Sequence, residues 1–535
     1  MPANTTPERD DSIPLDPRRN LASVTVLLED EGIQRLIAEF SRAVVMDAIR
    51  ETLDEYRRDL GPNDTAPTIP EIRAKVETHI LRDEKERLRP VVNATGIILH
   101  TGLGRAVLPQ RAVDALASLN RCCNLQMDLE TGQRGKRNYM TERLLCRLTG
   151  AEAAMLVTNN AAATLLILTA LCKGREVIIS RGQLIEIGGS FRLPDCIHQS
   201  GAIMREVGTT NKTHLRDYEN ALCENTGMIL RCNPSNYRIV GFEKSVGVGE
   251  LVSLKSREPF RTLCPDLVVV DDLGCGALVN LEDYGLPKEP TVQDSIAAAT
   301  DLVCFSGDKL IGGPQAGIIV GRGDLIQKLK KHPLSRMLRV GKMTDLALEH
   351  TLRLFLEPEK LVERNPTLRM IATPAAVLRK AAAALRKKIE RKQREVFGGG
   401  GGGESARGES ARGESSPSAD KVGRASRLPT KVEIPPLKVE IEASHSATGG
   451  GSLPVTPLPT YVLALTLAGC AADRLSYLLR RNEPPIVARI EADRVFLDMR
   501  TLMDGDDRII VEALAGIAQT VGEKGKNEVS PVGTI

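Results

Sequence analysis

With 535 residues, the chain is too long for one hydrophobic core and should divide into two or three domains. An apolar share of 42% and a charged share of 26% are those of a globular protein, and a net charge of +3 leaves no overall basic footprint, which argues against a DNA partner and makes any polyanion site local. Eleven cysteines without CxxC spacing exclude a disulfide framework or zinc ribbon and fit reduced thiols in a cytoplasm, while the polar N-terminus and an apolar run of only about 161–172 argue against a signal peptide or membrane span.

Residues 1–20 are expected to be disordered. From 23 to about 60, apolar residues recur at helical spacing (Leu27, Ile33, Leu36, Phe40, Val44 and Ile49 among them) until Gly61-Pro-Asn-Asp breaks the pattern. A further helix rich in Arg, Lys and Glu is expected over 69–88. Together they make a small helical module over 21–88, joined to the rest through Arg89-Pro90. It reads equally well as a docking domain for a large substrate or as an oligomerisation arm.

Over 89–350, short β-branched runs alternate with helices, the pattern of an α/β layer with a mostly parallel sheet. Strands are expected at 154–157, 176–179, 203–207, 228–231, 267–270, 302–305 and 316–320. Such sheets bind ligands beyond the carboxyl ends of their strands, and polar clusters follow those ends here. After Val157 come Thr158-Asn-Asn160-Ala161-Ala162-Ala163, small residues opening a helix whose free N–H groups can hold a phosphate. After Val270 come Asp271-Asp272-Leu-Gly-Cys-Gly, where a carboxylate can pair with a pyridinium nitrogen. Asp272 is favoured because the glycine turn follows it directly, and Asp271 is the alternative.

After Phe305 come Ser306-Gly-Asp308-Lys309 and a turn through Gly312-Gly313. Lys309 therefore sits where two buried strands meet, and an amine stripped of its hydration is a competent Schiff-base nucleophile. Ser306 is placed to reach a cofactor phosphate. Phosphate cradle (Asn160, Ala161, Ala162), then carboxylate, then lysine is the order required by a pyridoxal 5'-phosphate (PLP) enzyme of the aspartate-aminotransferase type, fold type I. The segment 183–189 is the expected neighbourhood of the residue that stacks on the cofactor ring.

In the last part, 351–525, residues 375–394 form an Arg/Lys-rich helix whose face is either simply solvated or in contact with an RNA backbone. A Gly/Ser/Arg-rich low-complexity insertion occupies 397–430. Strands at 432–442 and 486–498, with helices at 471–481 and 509–521, then make a small α+β domain closing one side of the active site, followed by a tail at 526–535.

The residues resemble one family closely, the bacterial selenocysteine synthases or L-seryl-tRNA(Sec) selenium transferases. The resemblance runs through Asn93-Ala-Thr-Gly-Ile-Ile-Leu-His-Thr-Gly-Leu-Gly-Arg105, Glu130-Thr-Gly-Gln-Arg-Gly135, Glu206-Val-Gly-Thr-Thr-Asn211, Phe305-Ser-Gly-Asp-Lys-Leu310, Arg336-Met-Leu-Arg339 and Gly449-Gly-Gly-Ser-Leu-Pro454. It departs from the usual pattern at Gly102, Thr158, Cys275 and Gly341.

The resemblance implies that Lys309 carries PLP, that Asp308 lies beside the reacting centre, and that Arg105, Arg336 and Arg339 hold the selenophosphate anion, for which forked guanidinium groups are well suited. It further implies β-elimination of the hydroxyl of seryl-tRNA(Sec), addition of selenium, and assembly of homodimers into a ring, a decamer in this family. Two other readings stand beside it. One is a small-molecule β-eliminating or ammonia lyase on the same fold, against which the N-terminal module argues. The other is a non-catalytic tRNA-binding scaffold, against which Lys309 argues.

Overall fold

The computed structural model describes residues 16–61, 64–84, 88–188, 191–397, 436–453 and 456–524. Contacts divide the chain into two compact units, 1–90 and 91–535. In the first unit the helical periodicity resolves into α1 (Val24–Glu29), α2 (Glu31–Phe40), α3 (Arg42–Asp59) and α4 (Ile69–Glu84). Two local events cut what reads as one long apolar stripe. The Asp30 carboxylate accepts from the N–H groups of Gly32 and Ile33, starting a new helix, and Ser41 adopts φ +80° between α2 and α3. Leu27, Ile33, Val45, Ile49, Ile72, Val76 and Ile80 close the core of this bundle.

The expected disorder over 1–20 fails at its end. Residues Pro17–Asn20 form a 3-10 turn, and the Arg18 guanidinium donates to the Leu60 carbonyl at 3.1 and 2.7 Å. Residues 1–15, most of the expected insertion and the whole of the expected tail lie outside the described residues.

The second unit contains the strands β1 (Val92–Ala94), β2 (Ala153–Val157), β3 (Glu176–Ser180), β4 (Glu186–Ile187), β5 (Phe191–Arg192), β6 (Ile203–Val207), β7 (Thr226–Cys232), β8 (Val268–Gly274), β9 (Leu302–Ser306), β10 (Gly317–Gly321), β11 (Leu437–Ser446), β12 (Leu458–Leu467), β13 (Ile486–Glu491) and β14 (Arg494–Asp498). Seven of them form one sheet in the order β2-β10-β9-β8-β7-β3-β6. Only β10 runs antiparallel to its neighbours, so the sheet is the mostly parallel α/β layer expected.

Both faces of this sheet are covered, as a parallel sheet requires. Alternate residues feed opposite cores: Val303, Phe305, Ile318 and Val320 enter one, and Leu302, Cys304 and Ile319 enter the other. Two helices, α5 (Gln110–Ala117) and α6 (Tyr139–Thr149), precede β2, and α7 (Asn160–Leu171) leaves its carboxyl end.

A second sheet has the order β1-β13-β14-β12-β11 and is packed by the helices Ala375–Phe397, Ala472–Arg480 and Asp506–Lys524. Its composition differs from the expected boundaries at 89 and 350. Val92–Ala94 pairs in parallel with β13, while Leu352, Phe355, Leu361, Leu368 and Ile371 pack with Phe305 in the core of the larger sheet. The single strand expected over 486–498 is a hairpin, because Ala492 and Asp493 both take left-handed φ, 48° and 56°, and turn the chain. Among the described residues no helix is long and apolar enough to cross a membrane.

Candidate active site

β9 ends at Ser306, and the chain turns sharply before β10 returns beside it. The turn needs its glycines: a Cβ on Gly307 would lie 2.7 Å from the Pro314 carbonyl oxygen, and Gly312, at φ +72°, would place one 2.5 Å from Asn365 Oδ1. This tight loop holds Ser306, Asp308 and Lys309 almost entirely out of water, at 6%, 6% and 4% exposure. All three line a cavity of about 220 Å³, together with Asn160, Asp272 and Arg105.

β8 carries on past the expected strand end through Asp271 and Asp272, and strand alternation sends the two carboxylates to different surroundings. Asp271 is taken by Arg231 at 2.6 Å and by the Ser295 hydroxyl at 2.7 Å. Asp272 lines the cavity and accepts from Asn160 Nδ2 at 2.7 Å, Thr164 Oγ1 at 3.1 Å and the Gly274 N–H at 3.0 Å. Burial pushes its carboxyl above the usual range, against the opposing pull of these hydrogen bonds and of the Lys309 charge. No arginine, lysine or histidine forms an ion pair with it among the described residues.

At the start of α7, the Asn159 side chain caps the helix by accepting from the Ala162 N–H at 2.9 Å. The expected cradle is therefore smaller than Asn160-Ala161-Ala162, because the Ala162 amide is already spent on the cap. Asn159, Asn160 and Ala161 are the cavity-lining residues there. Asn160 also does something its sequence position does not announce, orienting the Asp272 carboxylate.

Arg105, left-handed at φ +64°, donates through Nη1 to Asp308 Oδ2 at 2.8 Å. The other two expected anion ligands are elsewhere. Arg336 and Arg339 are exposed and do not line this cavity. They gather with Arg137, which, followed by desolvation and Arg336, holds the Arg339 guanidinium below its usual range. The Arg137 Nε is buried without a hydrogen-bond partner among the described residues. Arg137 lies two residues beyond the Glu130–Gly135 motif, so a slightly wider reading of that motif would have found it.

On the expected ring-stacking segment, Gln183 is committed to the fold, accepting from the Cys232 N–H at 3.0 Å. The apolar cavity wall is Ile185 and Ile187, joined by Phe191 from beyond that segment. Finally, Gly449, Gly450 and Gly451 are all left-handed, and a Cβ on Gly451 would stand 3.7 Å from Lys309 Nζ. The loop after β11 thus comes within van der Waals reach of the lysine, and its left-handed backbone favours glycine there. A buried amine, a carboxylate without a paired cation and a helix N-terminus on one cavity are the donors that could hold the aldehyde, ring nitrogen and phosphate of PLP.

Comparison with known proteins identifies the family. The family model described as L-seryl-tRNA selenium transferase matches residues 91–398 and 417–503, and that described as selenocysteine synthase N terminal matches 18–57. L-seryl-tRNA(Sec) selenium transferase of Caldanaerobacter subterraneus is 42% identical over 93% of this chain and 98% of its own. That of Desulfomicrobium baculatum is 40% identical over 93% and 98%, and that of Nitratidesulfovibrio vulgaris 43% identical over 89% and 93%. Among solved structures, a D-glucosaminate-6-phosphate ammonia-lyase aligns over 83% of this chain and 98% of its own, at 18% identity and a TM-score of 0.49, too loose a likeness to weigh on function. With its matches spanning most of the sequence, the chain belongs to the L-seryl-tRNA selenium transferase family.

Proposed function

We propose that this protein converts L-seryl-tRNA(Sec) to L-selenocysteinyl-tRNA(Sec) in the cytoplasm, with PLP bound at Lys309 and selenophosphate as selenium donor. The observation that carries the reading is the convergence of Lys309, Asp272 and the N-terminus of α7 on one cavity in a chain of this family. The eleven cysteines, all free, suit a reducing compartment.

The residues fit the cofactor on their own terms. Asp272 is a buried carboxylate that lacks a paired cation, and a protonated ring nitrogen would supply one. Asn160 and Ala161, in the first turn of α7, line the cavity with Ser306, so helix N–H groups and a hydroxyl are at hand for a phosphate. Bound there, PLP supplies an electron sink for the pair left when the seryl α-proton departs.

The chain's own groups do the rest. Asp272, held in place by Asn160 and Thr164, keeps a proton on the ring nitrogen. Lys309 Nζ, released when the seryl amine displaces it from the cofactor, would take the α-proton and pass a proton to the β-hydroxyl, which leaves as water. Arg105, braced by Asp308, stands at the cavity, and Arg336 and Arg339 with Arg137 form the cationic approach for the donor anion, whose Se–P bond is hydrolysed by one water after selenium adds, releasing phosphate.

The N-terminal helical unit grips the tRNA, because an ester on a large RNA needs a binding surface beyond the pocket. Homodimers assembled into a larger ring complete the enzyme. The test is product analysis with seryl-tRNA(Sec) and selenophosphate. Selenocysteinyl-tRNA formed by the full chain, and not when residues 1–90 are removed, supports both parts. Turnover of free serine or phosphorylated amino sugars in its place would favour a small-molecule lyase.

A further inference from the structure

Glu289 has no part in the chemistry above, yet it lies behind the cavity and is largely shielded from water. Its Oε1 accepts from Asn233 Nδ2 at 2.9 Å, and the Cys275 sulfur lies 3.9 Å from the same oxygen. Among the described residues it makes no ion pair, although Arg231 acts on it through space. Burial lifts its carboxyl above the usual range, so the fold bears the cost of placing an acid there without a cation bonded to it.

Of the two groups it meets, one lines the cavity and the other lies just behind it, next to the cavity-lining Gly274. Asn233 lines the cavity and, through its own N–H, is fixed to the Asp272 carbonyl at 2.8 Å. Cys275 is fully buried, its thiol pushed up to about 11 by burial against the pull of Lys309, and it donates to the Gly451 carbonyl at 3.4 Å. Glu289 therefore abuts residues that touch the carboxylate strand and the glycine loop at once.

An ionised carboxylate accepts only from the nitrogen end of an amide. The contact thus fixes which way round the Asn233 side chain sits, a matter otherwise open to a half-turn of the amide. Resting on the PLP reading above, we infer that Glu289 is a positioning residue that locks the Asn233 amide for the cofactor. The ring's hydroxyl oxygen needs a donor besides Lys309, Asp272 and the α7 cradle, and Asn233, which lines the cavity and keeps a second N–H beyond the one given to Glu289, would supply it.

The test is PLP retention, measured by equilibrium dialysis of the full-length protein and by its visible absorbance band. E289A should weaken retention about tenfold, the scale of one charge-assisted hydrogen bond, and N233A should weaken it by the same factor. The double variant should be no worse than N233A alone, because the two act as a unit. E289Q, which keeps an acceptor oxygen and the side chain's volume, should recover most of the loss and guards against misfolding of E289A. Wild-type retention in E289A, or a double variant showing the product of the two single losses, would overturn the inference. If the wild-type chain itself fails to retain PLP, the functional reading falls first and this inference with it.

Discussion

Replacing Asp272 by Asn should move stability and activity in opposite directions. In the cofactor-free protein the carboxylate is buried with three donors and no paired cation. An amide of the same shape keeps those contacts: its oxygen still accepts from Asn160 Nδ2 and the Gly274 N–H, and its nitrogen faces Thr164 Oγ1, which can turn its own hydrogen to the Asn160 carbonyl 3.1 Å away. Removing the charge relieves several kcal/mol of desolvation, offset by weaker hydrogen bonds and by the lost attraction of Lys309. The net gain is about 1 kcal/mol.

The pH dependence has a definite sign. An acid whose folded pKa is raised is destabilising when ionised, so the penalty is absent below its ordinary pKa, grows as pH rises toward the folded value, and is complete above it. Asp272→Asn should therefore raise the melting temperature of the cofactor-free protein at neutral pH, with the gain vanishing as acid neutralises the wild-type carboxyl. With PLP and substrates, kcat should fall about 100-fold or more, since the ring nitrogen loses its anionic partner. Calorimetry across pH on both proteins checks this. A clear drop in melting temperature of the cofactor-free variant at neutral pH would mean that the carboxylate is a structural group and that the cavity is not built for a cation.

Three other outcomes are expected. Gly451→Ala should cost about 1–2 kcal/mol of left-handed strain, and its methyl, 3.2 Å from Asn236 Cβ and 3.7 Å from Lys309 Nζ, should lower kcat as well; denaturant melts and steady-state rates measure both. Arg105→Ala leaves Asp308, whose side chain is 8% exposed, without its partner; because Arg105 itself is 29% exposed, the cost is about 2 kcal/mol, less than for a fully buried pair. Arg137→Ala should raise KM for selenophosphate about tenfold while leaving KM for seryl-tRNA(Sec) unchanged, and an equal rise in both would contradict its assignment to the donor anion.

Much of the larger sheet was legible because buried parallel strands are written as short β-branched runs, and 154–157, 176–179, 228–231 and 302–305 each fall within a described strand. Strand direction is not written that way, so the antiparallel course of β10 was invisible. β4 and β5, two residues each, are too short to show any period. Charged residues look like a strand's end, which hid the continuation of β8 through Asp271 and Asp272. In the site, the order of residues along the chain led to Lys309, Asp272 and Asn160. It could not reveal that Arg336 and Arg339 lie outside the cavity, that the Asn159 cap uses the Ala162 amide, or that Glu289 reaches Asn233 across 56 positions. Those facts belong to tertiary packing.

The central claim is that Lys309 is the residue that binds PLP. Borohydride reduction of the PLP-loaded full-length protein, followed by peptide mass spectrometry, tests it most directly. The pyridoxyl group should be found on the peptide containing Lys309, and the visible absorbance band should be lost in Lys309→Ala. Labelling of a different lysine, or an unchanged band in the variant, would contradict the account.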